Sequence, residues 1–304
     1  MNEKPRSTEE QLLWLKLRFM MDNYRTMADD AVKKQWSHQE YFEHLLQGET
    51  DLRWDNGINR RIRMARFPVL KTLEQFQWNW PKKINRSQVQ QLCTLNFIDR
   101  KANVILLGGV GLGKTHIATA IGYQACLKGY SVLFSTAVDV INTLSADQAA
   151  GQLKKGLKKY LKPGLLVLDE LGYLPIDKHG ADLLFQIISY RYEKGSLIIT
   201  SNRAYKEWPQ IFNNDATLTS AILDRLLHHA DTSVIEGKSY RMTAAGSSRL
   251  KRKKNRFDQQ IGAGFYGSGD NIFNPAFSGI FTPPLTGTCH IISPPDEKGG
   301  LPRK

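Results

Sequence analysis

The chain has 304 residues, which is enough for one α/β domain of about 150 residues with appended segments. Lys and Arg number 42 against 29 Asp and Glu, and the net charge of +13 favours a partner that carries phosphate groups. The three cysteines show no ligand spacing and no apolar run approaches the roughly 18 residues of a membrane span, so we expect a cytoplasmic protein without a disulfide framework, a zinc site or a membrane contact.

Residues 1–68 predict a small all-α N-terminal domain, helical from residue 7 to about 66. Two Ser-x-x-Glu sequences, beginning at Ser7 and Ser37, match the capping box that satisfies free N–H groups at a helix start. Apolar side chains are predicted to share one helical face in each half of the domain: Leu12, Leu15 and Phe19, then Tyr41, Phe42, Leu45 and Leu46.

Arginines are concentrated near the end of this domain, where Phe67-Pro68 ends the helix. The five arginines, with only Asp55 to oppose them, are Arg53, Arg60, Arg61, Arg63 and Arg66. Arginine pairs well with backbone phosphate, so we predict that they contact duplex DNA. A merely solvated helix face is the equally weighted alternative.

A connector is predicted over residues 69–100, followed by the nucleotide domain over 101–250. Five apolar runs, separated by segments long enough for crossover helices, predict an α/β fold with a five-stranded parallel sheet. The predicted strands are 103–107, Ser131 to Phe134, Leu165 to Leu168, Leu197 to Ser201 and Thr232 to Glu236.

A phosphate-binding loop with the pattern G-x-x-x-x-G-K-T follows the first predicted strand and precedes a helix predicted over 117–128. Glycines let backbone N–H groups approach the phosphates, the lysine pairs with the β- and γ-phosphates, and the threonine hydroxyl binds Mg²⁺. The predicted ATP-binding residues are Gly108, Gly109, Val110, Gly111, Leu112, Gly113, Lys114 and Thr115, with the adjacent His116.

Polar residues end two later strands. Asp169 is predicted to hold Mg²⁺ together with Thr115, and Glu170 to polarise the attacking water. Asn202 is the candidate for touching the γ-phosphate and that water, with Thr200 and Ser201 as lesser candidates.

Two arginines are candidates for stabilising charge in the transition state. Arg225 stands beside Asp224 in a helix whose packed side is predicted to be Ile222, Leu223, Leu226 and Leu227. It is predicted to act as an arginine finger on a neighbouring subunit, with a surface charge as the alternative, and Arg241 could act within its own subunit. The adjacent His228 and His229 have no metal-ligand partner at a useful spacing and are expected to be structural.

Taken together, these motifs resemble the IstB-type ATPases, the AAA+ helpers encoded beside the transposase in one class of bacterial insertion sequences. The resemblance covers about residues 10 to 245. The matching stretches are Ala65–Pro68, Gly108–His116, Leu168–Pro175, Leu183–Tyr192, Thr200–Asn202, Ala221–His229 and Glu236–Arg241.

The resemblance implies an AAA+ fold of the initiator and helicase-loader branch. It also implies ATP-dependent assembly of a homo-oligomer, a decamer or larger, on duplex DNA. DNA bending and presentation of the target to a cognate transposase, which stimulates hydrolysis, are implied as well. Arg225 falls where that branch has its finger, and Arg241 where it has its second sensor.

Three alternatives remain at this point: a helicase loader of the DnaC kind, a monomeric small-molecule kinase, and a scaffold in which ATP is only a structural switch. Residues 251–304 lie beyond the resemblance. They begin with the basic run Lys251–Lys254 and are rich in Gly and Pro, so a disordered tail is expected, either held on DNA by its charge or simply solvated.

Overall fold

The computed structural model describes residues 5–240, so Arg241 and the predicted tail lie outside the described residues. Its first three helices are α1 (Thr8–Trp14), α2 (Arg18–Lys34) and α3 (His38–Ala65). Both predicted capping boxes, at Ser7 and Ser37, are present.

The predicted apolar faces of this region are partly wrong. Helix α1 ends at Trp14, so Leu12, Leu15 and Phe19 do not lie on one continuous helix, and Leu15 is exposed. In α3, Leu45 is buried, whereas Phe42 and Leu46 are exposed. A helical period cannot locate the break after α1, and within the unbroken α3 it cannot tell which of its apolar side chains will meet a packing partner.

Helix α2 begins without a side-chain cap of its own, and a glutamate from α3 provides the missing acceptor. The buried Glu49 carboxylate accepts hydrogen bonds from the backbone N–H groups of Phe19, at 2.8 Å, and Met20, at 3.4 Å. Its other oxygen accepts from Nε of Arg53 at 2.9 Å. The negative charge therefore lies at the positive end of α2 and locks α2 against α3.

The nucleotide-binding part contains a five-stranded parallel sheet, with strands in the order β2-β3-β4-β1-β5. The ends of its strands differ from the predicted ends by at most three residues, and three of the ten ends agree. The strands are β1 (Asn103–Gly108), β2 (Val132–Thr136), β3 (Leu165–Leu171), β4 (Ser196–Ser201) and β5 (Ala230–Ile235).

Helices cover both faces of the sheet because successive strand side chains point to opposite sides. Ile105 and Leu107 pack on one face, and Val104 and Leu106 on the other. The second face is covered by α4 (Arg86–Leu92), α5 (Asn96–Asp99) and α6 (Lys114–Leu127), and the first by α7 (Ala137–Ala149), α8 (Leu153–Leu161), α9 (Lys178–Arg191), α10 (Trp208–Ile211) and α11 (Ala216–Leu227).

The end of α3 packs on the face that α6 covers. Ala65 is fully buried there, and the Phe67 ring meets the Phe134 ring edge-on with centroids 6.3 Å apart. Nε of Arg61 donates to the carbonyl oxygen of Cys126, in the last turn of α6, at 3.0 Å. Contacts of α3 with both the sheet and α6 therefore join the N-terminal helices to the nucleotide-binding part.

A buried arginine ties together the amino ends of β3 and β4. The Arg191 guanidinium donates to the carbonyl oxygens of Tyr160, Pro163, Gly164 and Ser196 at distances of 2.8 to 3.2 Å. Burial lowers the pKa of Arg191 to about 10, so the group keeps its positive charge at neutral pH. These carbonyl dipoles take the place of the water and the counter-ion that an exposed arginine has.

We predict that Arg191→Met lowers the free energy of unfolding by about 3 kcal/mol or more, because four carbonyl groups, two of them in buried hydrogen bonds, lose the guanidinium as donor. Urea denaturation measures this difference. The matched control is Arg100→Met, which removes an exposed arginine and should change stability by less than about 0.5 kcal/mol. Equal stability of the two variants would contradict the role assigned to Arg191.

Candidate functional site

The phosphate-binding loop lies between the end of β1 and the start of α6, whose N-cap is Gly113. The free N–H groups of the first turn of α6 therefore face the loop, as anion binding requires. Nζ of Lys114 donates to the carbonyl oxygens of Gly108 and Gly109 at 2.6 and 2.8 Å. The lysine thus lies across the loop.

The glycines of the loop are not equivalent. Gly113 has a φ of +89°, and a Cβ atom there would lie 2.6 Å from the Phe76 ring. A Cβ atom on Gly109 would meet only Leu112, at an ordinary 3.7 Å. The structure therefore requires glycine at 113 but not at 109.

The Asp169 carboxylate is the centre of a hydrogen-bond network at the carboxyl end of the sheet. The Thr115 hydroxyl lies 3.0 and 3.1 Å from its two oxygens, and the Thr200 hydroxyl donates to it at 2.5 Å. Asp169 is buried, and Thr115 lies at the edge of the cleft. The two predicted metal ligands are brought together, and a hydroxyl with a carboxylate is an oxygen donor set that suits Mg²⁺.

Glu170 has an uncommon backbone conformation for a residue with a side chain. Its φ is +60°, and the pairing of β3 with β4 shifts register between Leu168 and Leu171. Its N–H donates to the Thr200 hydroxyl at 3.0 Å, and its exposed side chain lines the cleft. An irregularity of this kind changes the direction of a side chain, and here the Glu170 carboxylate points away from the sheet and towards the cleft.

Asn202 lines the same cleft, just beyond β4. Its Oδ1 atom is buried and has no hydrogen-bond partner among the described residues. The lesser candidates are engaged elsewhere, since Thr200 bonds Asp169 and the buried Ser201 hydroxyl accepts from the Arg203 N–H. A buried acceptor of this kind calls for a donor such as water.

The cleft has a volume of about 790 Å³, and the connector forms one of its walls. The wall residues that the sequence prediction missed are Pro68, Val69, Lys71, Gln75, Phe76, Gln77, Trp80 and Pro81, with Tyr240. Nε2 of His116 lies 2.8 Å from the carbonyl oxygen of Thr72, so its ring ties the connector to α6. The sequence signal for this wall is the group of aromatic residues in the connector, Phe76, Trp78 and Trp80.

Arg225 is not among the residues that line the cleft. It is half-buried, its Nη1 donates to the carbonyl oxygen of Ala221 at 2.9 Å, and its guanidinium lies 5.0 Å from the centre of the Phe185 ring. In the same helix Ile222 and Leu226 are buried as predicted, but Leu227 is 38% exposed and does not belong to the packed side.

The five arginines predicted to contact DNA fall into two groups. Arg53 binds Glu49 and the carbonyl oxygen of Lys16, and Arg61 binds Cys126, so these two hold the fold together. Arg60, Arg63 and Arg66 are exposed, and within residues 5–240 they have no hydrogen bond or ion pair. Membership of a basic run did not distinguish the two groups.

The parallel sheet, the phosphate loop after β1 and the paired carboxylates in β3 define a P-loop nucleotide-binding protein. Residues 10–248 match the model of the family described as "IstB-like ATP binding protein". The chain belongs to this ATP-binding family. The predicted fold class and the predicted resemblance are confirmed.

Curated relatives include the "Insertion sequence IS21 putative ATP-binding protein" of Pseudomonas aeruginosa, which is 40% identical over 75% of this chain and 86% of its own length. The "Insertion sequence IS5376 putative ATP-binding protein" of Geobacillus stearothermophilus is 37% identical over 80% of this chain and 95% of its own. Among solved structures, the DnaC helicase loader is 27% identical to this chain, and the match covers 54% of this chain and 96% of the loader with a TM-score of 0.43.

Within the described residues, no helix has the length and apolar character needed to cross a membrane.

We predict that Gly113→Ala weakens ATP binding by about ten-fold or more, because the new methyl group demands both a strained backbone and a displaced Phe76 ring. Gly109→Ala is the matched control and should bind ATP like the unaltered chain. Calorimetric titration with a non-hydrolysable ATP analogue measures both affinities. Equal weakening in the two variants would contradict this account of the loop.

Proposed function

We propose that the chain is a Mg²⁺-dependent ATPase that assembles on duplex DNA and presents a target site to a transposase. The observation that carries the proposal is the arrangement of Glu170 at the cleft, beside the paired Asp169 and Thr115. In this proposal residues 1–68 form the DNA-binding module, 69–100 the connector, 101–250 the ATPase domain and 251–304 an added tail.

Five polar groups of the cleft are assigned tasks in hydrolysis. Lys114 binds the β- and γ-phosphate oxygens, and Thr115 and Asp169 hold the cation. When bound, Mg²⁺ supplies positive charge to the phosphate oxygens. Glu170 accepts a hydrogen bond from the attacking water while Asn202 orients it. The water oxygen bonds to the γ-phosphorus as the bond from that phosphorus to the bridging oxygen breaks, so the products are ADP and inorganic phosphate, and Glu170 takes up the proton that the water loses.

Arg225 is proposed to serve the cleft of a neighbouring subunit. Its position away from the cleft of its own chain supports this, because a guanidinium must reach the γ-phosphate to stabilise charge there. Arg241, outside the described residues, is proposed to act as a second sensor within its own subunit. Two subunits then build one complete site, which couples hydrolysis to assembly of a decamer or larger oligomer.

Duplex DNA is the proposed surface for assembly. The exposed Arg60, Arg63 and Arg66 and the net charge of +13 suit a backbone-phosphate partner. Such contacts give little sequence preference, so bending would select sites by deformability.

A transposase is the proposed receiver of the DNA, because the names of the curated relatives place those proteins in insertion sequences. Contact with it is proposed to stimulate hydrolysis. A helicase loader of the DnaC kind remains the second candidate, since it would share the ATPase core and differ in its partner.

The proposal is tested by measuring ATP turnover and particle size of the full chain with and without duplex DNA. We expect DNA to stimulate turnover and ATP to drive growth to decamers or larger species. Glu170→Gln should keep the ATP-dependent growth and lose turnover, because the variant binds ATP but cannot polarise water. Monomers whose turnover ignores DNA would point instead to a small-molecule kinase.

Arg225→Ala should lower turnover by about 10³-fold while ATP affinity stays unchanged, because the arginine acts only in the transition state of a neighbouring site. Steady-state turnover and nucleotide titration measure the two effects. A variant that loses ATP affinity in the isolated monomer would place Arg225 in the cleft of its own chain and refute the shared site.

Arg60→Glu with Arg63→Glu should weaken duplex binding at least about ten-fold and make the logarithmic salt dependence shallower by about 2, because two phosphate contacts are lost. Fluorescence anisotropy over a salt series measures both quantities. The matched control, Arg100→Glu with Lys178→Glu, makes the same charge change at exposed positions elsewhere. Indistinguishable binding by the two double variants would exclude α3 as the DNA-binding face.

A further inference from the structure

We propose that Glu193, His228 and His229 form a binding site for a transition-metal ion of the Zn²⁺ type. Each offers one ligand atom, and these atoms all lie within 4.8 Å of one another. The group could not be recognised from the sequence, because β4, α10 and α11 separate the glutamate from the two histidines along the chain. The inference does not depend on the proposed function.

The backbone on both sides of the group is fixed by the fold. Glu193 has a φ of +58° and lies in the turn after α9, where the N–H groups of Lys194 and Gly195 donate to the carbonyl oxygen of Arg191. The carbonyl oxygen of His229 accepts from the N–H of Asn103, at the start of β1, at 2.7 Å. Little backbone rearrangement is therefore needed to bring the three ligands together.

One histidine also has a partner that orients its ring. The Tyr192 hydroxyl lies 2.8 Å from Nδ1 of His228, which leaves Nε2 of that ring for a metal ion. A metal-bound histidine commonly has such a partner on its second nitrogen.

The donor set selects the class of metal. Two imidazoles and one carboxylate suit Zn²⁺ and its neighbours in the first transition series, whereas Mg²⁺ prefers oxygen ligands alone. All three side chains are exposed, so a fourth position stays open to water or to a ligand from another molecule. The predicted Mg²⁺ pair of Thr115 and Asp169 involves none of these residues.

The test is a titration of the tag-free, metal-stripped full chain with Zn²⁺ and, in parallel, with Co²⁺ as a spectroscopic probe. We expect Zn²⁺ to bind at this site and Co²⁺ to give the absorption of nitrogen and oxygen ligation. Glu193→Gln and His229→Ala should each weaken Zn²⁺ binding by at least about ten-fold. His179→Ala, an exposed histidine on α9, is the matched control and should bind like the unaltered chain.

Two outcomes would overturn the proposal. One is unchanged Zn²⁺ affinity in both Glu193→Gln and His229→Ala, with thermal unfolding showing that the variants are folded. The other is a thiolate-to-cobalt absorption band, or loss of binding in Cys289→Ser with His290→Ala, which would move the metal to the segment outside the described residues. Because Glu193→Gln alters one exposed side chain, it keeps the test decisive if a histidine variant fails to fold.

Discussion

The hydrogen bonds of the buried Asp169 carboxylate connect three elements of the candidate ATP site. Thr115 belongs to the helix that follows the phosphate loop, Asp169 to β3 and Thr200 to β4, so one carboxylate fixes the distances among three elements. Thr200 in turn accepts the N–H of Glu170 and holds that residue in its left-handed conformation. A buried carboxylate without these donors would be costly, so folding and site assembly depend on the same contacts.

Much of the fold and the centre of the site could be predicted from sequence because their signals are local. Each parallel strand is a short apolar run, and the phosphate loop, Asp169 and Glu170 sit at strand ends that the pattern marks. The exposed Phe42 and Leu46 show where such reasoning fails. A periodic pattern defines a face, but the partner of that face is set by tertiary packing.

The features that the sequence did not predict all depend on contacts between distant segments. The burial of Arg191 follows from carbonyl groups that precede β3 and from one at the start of β4, and the burial of Glu49 follows from the start of α2, which has no side-chain cap of its own. The connector wall of the cleft has the same origin. In each case the residue type is unremarkable in its own stretch, and its environment exists only after the chain has folded.

Helix α3 links the nucleotide-binding part of the chain to the N-terminal helices over a long distance. This helix has 28 residues, or about 42 Å, and Arg61 and Phe67 fasten its last part to α6 and β2. Helix α6 starts at the phosphate loop, so the attachment of α3 to α6 lies on an element that contacts the nucleotide site. A tilt of α3 by about 10° at this attachment would displace its first residues by about 7 Å. The start of α2 is held by Glu49, about midway along α3, so the same tilt would also move α2, by about 4 Å at that point.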